Sequence, residues 1–83
     1  MLKLPPQDIE TERAVLGALM IDPAAIIKVA DFIFSTDFYK PIHQKIYEVV
    51  IELFTNSQPI DLLSVSTKLK EKKFLEEAGG VKK

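Results

Sequence analysis

His43 is the only histidine in this 83-residue chain, and there is no cysteine. A typical zinc centre draws three or four ligands from His, Cys and carboxylates, and without a second histidine or a thiolate no such centre is expected. His43 therefore reads as a polar-face residue on the first turn of a helix. The alternative is a titrating contact at an interface, because imidazole changes charge near neutral pH. Ser35, Ser57, Ser64 and Ser66 sit in neither a nucleophile-elbow nor an S-x-x-K setting. The run Gly79-Gly80-Val81-Lys82-Lys83 has a superficial likeness to a phosphate loop. That chemistry needs the spacing G-x-x-x-x-G-K-[ST], whose Lys and hydroxyl hold phosphate and magnesium, and the run lacks it. The sequence thus offers no catalytic, cofactor-binding or metal residues, and the chain by itself is expected neither to bind nor to hydrolyse a nucleotide.

The elements that position these side chains must come from one small core, since a chain of this length has a poor ratio of buried to exposed surface. Hydrophobic residues make up 47% and charged residues 28%, a composition of folded rather than disordered chains. No stretch approaches the ~18 apolar residues of a membrane span, and a cytosolic location is the default. The net charge of −1 is unevenly spread. Three basic and five acidic residues lie between Met1 and Phe34, two and three between Ser35 and Ile60, and six and four between Asp61 and Lys83.

Apolar spacing places four helices and a last helical turn. Asp8 is a good N-cap, Glu10 and Glu12 occupy the first turn where the helix dipole favours acids, and Val15, Leu16, Leu19 and Met20 form a stripe. The spacing predicts a helix over Ile9–Ile21, closed by Asp22-Pro23 because a residue before proline is pushed out of the α region. Ala24 to Phe34 reads as a second helix. Pro41 suits a first helical position, and Ile42, Ile46, Val49, Val50, Leu53 and Phe54 recur on one face of a third helix to about Thr55. Asp61 caps a fourth, Leu62 to about Lys72, with Leu62, Val65 and Leu69 as its apolar row. Phe74 to Ala78 forms a final turn before Gly79-Gly80. No segment alternates with period two, so the expected fold is all-α, a compact orthogonal bundle of about five short helices. Gly17 costs its helix about 0.5–1 kcal/mol relative to alanine; with Ala14 and Ala18 beside it, the expected compensation is close approach of another helix.

Two features suggest binding rather than catalysis. Phe32, Phe34, Phe38 and Tyr39 cluster between the second and third helices; they either close the core or form a docking surface. The candidates for a protein interface are Phe34, Phe38 and Tyr39. The lysine-rich last third, Lys68, Lys70, Lys72 and Lys73 with Lys82 and Lys83, either decorates solvated helix ends or contacts DNA phosphates. A small nucleic-acid-binding helical domain is therefore the alternative function.

The strings LPPQDIETERAVLGALMIDPAAI, DFYKPIHQKIYEVVIELF, QPIDLLSVSTKLKEK and LEEAGG, in that order, resemble the N-terminal domain of the DnaB-type bacterial replicative DNA helicase, from Leu4 to Gly80. The resemblance implies a parent that is a homohexameric ATP-dependent helicase moving 5′ to 3′, with ATP and magnesium held in a RecA-like C-terminal domain. It further implies that the N-terminal domains form a collar as a trimer of dimers and help dock a DnaG-type primase and, in some species, a helicase loader. In that family the double glycine leads into a helical hairpin that pairs subunits. The expectation for residues 1–83 is a single non-catalytic head domain, with the ATPase domain and the hairpin absent, monomeric or weakly dimeric.

Overall fold

The computed structural model describes residues 7–72, which form four α-helices and one 3-10 turn. Helix α1 spans Ile9–Ile21. Asp8 Oδ1 accepts the Thr11 N–H at 3.0 Å, and this bond holds the Asp8 carboxyl below its ordinary value. The helix closes at Asp22, whose N–H donates to the Ala18 carbonyl at 2.8 Å. Helix α3, Pro41–Thr55, begins at the proline and is the hub of the fold, packing against α1, the 3-10 turn and α4. Helix α4, Leu62–Glu71, is capped by Asp61, whose Oδ1 accepts the Ser64 N–H at 2.8 Å. The expected turn at Phe74–Ala78 lies outside the described residues.

Helix α2 is shorter than the spacing predicts, Ala25–Val29 in place of Ala24–Phe34. A side chain takes the last backbone donor that the longer helix would use. The Phe34 N–H donates to Asp37 Oδ2 at 2.7 Å rather than to Ala30, and the Ile33 carbonyl accepts the Tyr47 hydroxyl at 2.6 Å. The chain turns extended at Phe34 and then winds into the 3-10 turn Ser35–Asp37. Burial pushes the Tyr47 hydroxyl above its ordinary value, with the nearby Asp37 carboxylate adding to it.

The core is built from Leu16 and Leu19 of α1, Ile26 and Val29 of α2, Ile33 and Phe38 of the connection, Tyr47, Val49, Val50 and Leu53 of α3, Ile60, and Val65 and Leu69 of α4. Gly17 departs from expectation. It is half-buried, and a Cβ built there would meet nothing within 4 Å among the described residues. Among the described residues no helix approaches at that point, so packing inside the described domain does not offset its conformational cost.

The C-terminus of α3 closes on its own backbone. The Ser57 N–H donates to Phe54 at 3.1 Å and the Gln58 N–H to Leu53 at 2.8 Å, the paired bonds of a Schellman motif. Ser57 takes the left-handed conformation there, with φ 56°, where glycine is the usual occupant.

Candidate functional site

The start of α3 is held from another helix. Lys40, its N-cap residue, is extended and makes no side-chain capping bond. Glu12 of α1 does the capping instead. Its carboxylate accepts the N–H of Tyr39 on Oε2 and the N–H of Lys40 on Oε1 at 3.3 Å, and His43 Nδ1 lies 2.8 Å from Oε1. An ionised carboxylate only accepts, so the imidazole Nδ1 carries the proton. Glu12 is 0% exposed and His43 6%. Burial pushes the Glu12 carboxyl up, but the Tyr39 N–H, the His43 ring and the Lys40 N–H outweigh it, so the group lies below the ordinary glutamate value.

His43 is therefore not on the polar face of α3. It lies one turn before Tyr47 and two before Val50, on the arc that faces the core, just as Glu12 precedes Leu16 and Leu19 on the buried arc of α1. That register was the signal for the pair: polar residues at i, with buried apolar residues at i+4 and i+7.

The three aromatic candidates divide. Phe38 is 1% exposed, edge-on to His43 at 6.5 Å and tilted against Tyr47 at 5.1 Å. It closes the core and is not available to a partner. Phe34 and Tyr39, 55% and 57% exposed, remain at the surface. Phe34 borders a hollow of about 270 Å³ lined also by Ala30, Ile33, Ser35, Tyr47, Glu48 and Ile51.

The lysine candidates are partly neutralised. Lys72 Nζ lies 2.9 Å from Glu52 Oε1 and Lys68 Nζ 3.4 Å from Glu52 Oε2, with Glu71 a further 3.8 Å from Lys68. The Lys72 hydrogen bond leads the causes that hold the Glu52 carboxyl below its ordinary value. Lys70 is exposed, and Lys73, Lys82 and Lys83 lie outside the described residues. Among the described residues no group of three or more His, Cys, Asp or Glu side chains is placed to hold a metal ion, and no helix is long and apolar enough to cross a membrane.

Residues 4–83 match a family model described as the DnaB-like helicase N terminal domain. The chain belongs to that family. Among similar proteins, the replicative DNA helicase DnaB of Geobacillus stearothermophilus is 42% identical over 79 residues, 95% of this chain and 17% of that protein. The replicative DNA helicase DnaC of Bacillus subtilis (strain 168) matches to the same extent, 42% identical over 79 residues with 95% and 17% covered. The crystal structure of the N-terminal domain of DnaB helicase from Mycobacterium tuberculosis superposes with a TM-score of 0.86 at 34% identity, covering 93% of this chain and 54% of that one. The chain thus spans about a sixth of the length of the two helicases, as the N-terminal domain of a replicative helicase. The all-α fold is that of its DnaB relative.

Proposed function

We propose that this domain is a non-catalytic assembly and protein-interaction module of a hexameric replicative helicase, contributing to the collar of the ring and to docking of a DnaG-type primase and, in some species, a loader. The family match over residues 4–83 carries this reading. ATP, magnesium and the motor chemistry belong, on this reading, to a separate C-terminal domain, and the assembly works in the cytoplasm. The exposed rings of Phe34 and Tyr39 supply the contacts, because large aromatic side chains at a surface are what interface centres are made of. Phe38 supports them from the core.

Phe34→Ala and Tyr39→Ala in a full-length helicase carrying this domain test the assignment. The expected outcome is loss of hexamer on a sizing column with light scattering, or loss of the mixed complex with the primase C-terminal domain, at unchanged thermal stability. Intact assembly and intact primase binding in both variants would reject these residues as contacts. The nucleic-acid reading is disfavoured by Glu52, which pairs with Lys68 and Lys72. If it held, the domain would bind single-stranded DNA with an affinity that falls steeply with salt.

A further inference from the structure

We infer that Glu12 is a latch on the entry to α3: neutralising its carboxylate releases Tyr39 to Pro41 as a local unit, while Phe38, the buried side chains of Ile42 and His43 and the body of α3 stay packed. Helices α1 and α4 each have a local aspartate cap. Helix α3 has Lys40 at that position, without a capping bond, and lysine is not among the residues that cap well. The chain entering the helix is held instead by a carboxylate 27 to 31 residues away in sequence, which takes the Tyr39 amide just before the helix, the Lys40 amide at the N-cap and the His43 ring of the first turn. Two backbone N–H groups and one ring N–H converge on that single group, so losing it leaves three donors without an acceptor together.

The boundary of the unit follows from what anchors each residue. Phe38 is held by ring contacts with Tyr47 and His43 and by the Gln44 side-chain amide, which donates to its carbonyl at 2.7 Å. The side chains of Tyr39, Lys40 and Pro41 are exposed. The first helical bonds of α3, from the His43 and Gln44 N–H groups, both end on the Lys40 carbonyl, so they depend on where Lys40 is held. Of the titratable groups around the carboxylate, His43 of α3 is bonded to it. Residues 39–40 present backbone amides to it while the Lys40 ammonium lies in solvent, and Glu10 and Arg13 of α1 are exposed. The latch does not depend on Tyr39 contacting a partner.

Residue-resolved amide hydrogen exchange on the 83-residue chain tests it, since local opening and global unfolding give separate protection. In E12Q at pH 7, protection of the Tyr39 and Lys40 amides should fall about tenfold or more. The His43 and Gln44 amides should follow, and Val50 and Leu69 should keep theirs. H43N should produce a smaller fall at the same amides. Acidifying the unmodified chain supplies a readout that survives failure of E12Q to fold: Tyr39 and Lys40 should lose protection at a higher pH than Val50. Protection of Tyr39 and Lys40 that falls only in step with Val50, or that persists in a folded E12Q, overturns the latch.

Discussion

The two ends of α3 are stabilised in opposite ways. At the N-terminal end the cap comes from a distant residue, Glu12, buried and supplied with three N–H donors. At the C-terminal end the backbone closes on itself through Ser57 and Gln58, and the nearby carboxylate, Glu52, sits in partly solvated contact with Lys68 and Lys72. A buried charge has no water to fall back on, so every donor it loses counts in full. A solvated ion pair exchanges its partner for water at little cost. The N-terminal end therefore depends on tertiary structure, whereas the C-terminal end would hold in most contexts.

Glu12→Ala should have the largest effect, because it leaves the buried His43 ring and two amides without their acceptor. A loss of about 2–5 kcal/mol is expected, from about 1–3 kcal/mol for each buried donor left without an acceptor, measured by urea unfolding; a loss near zero would make the two ends equivalent. The same group sets an acid limit. Its folded value lies below the unfolded one, so its contribution is present above the ordinary glutamate range, about pH 4.3. It is lost as the pH falls through the lowered folded value. Urea midpoints between pH 6 and pH 3 should therefore decline in the unmodified chain and be flatter in Glu12→Gln. Ser57→Gly should stabilise by about 0.5–1 kcal/mol, because glycine takes the left-handed conformation without the Cβ penalty, less its extra freedom when unfolded. Gly17→Ala should stabilise by a similar amount, about 0.5–1 kcal/mol, since the added methyl group meets none of the described residues within 4 Å; in a full-length helicase it would instead weaken assembly if another subunit covers that face. Smallest of all is Glu52→Gln, expected to move the thermal midpoint little and to matter less as salt is raised.

Much of the fold was legible because helices declare themselves locally. The limits of α1 and α3 follow from Asp8, Pro23, Pro41 and the apolar rows, and the aspartate cap of α4 from its position before Leu62. The early end of α2 was not legible, because Asp37 takes the Phe34 N–H from outside the segment. Phe34, Phe38 and Tyr39 lie in a connection with no helical period to tell the inward ring from the outward ones. Only the packed structure shows that Phe38 turns in. Lys68 and Lys72 look like free cations in sequence because Glu52 belongs to another helix. Glu12 and His43 are the instructive case: each lies in register with buried apolar residues, yet each is of a type usually assigned to the surface.

The sequence distance of the α3 cap also bears on the order of folding. The last turns of α3 and their Schellman closure need only neighbouring residues and can form as soon as the helix nucleates. Its first turn must wait until a contact spanning 27 positions of sequence is made and α1 is in place, because a loop must close before a non-local contact can reward it. This order predicts a folding transition state in which α3 is frayed at its beginning and formed at its end, to be read from φ-values at the two ends. Substitutions at Glu12 then act chiefly by speeding unfolding, with little change in the rate of folding.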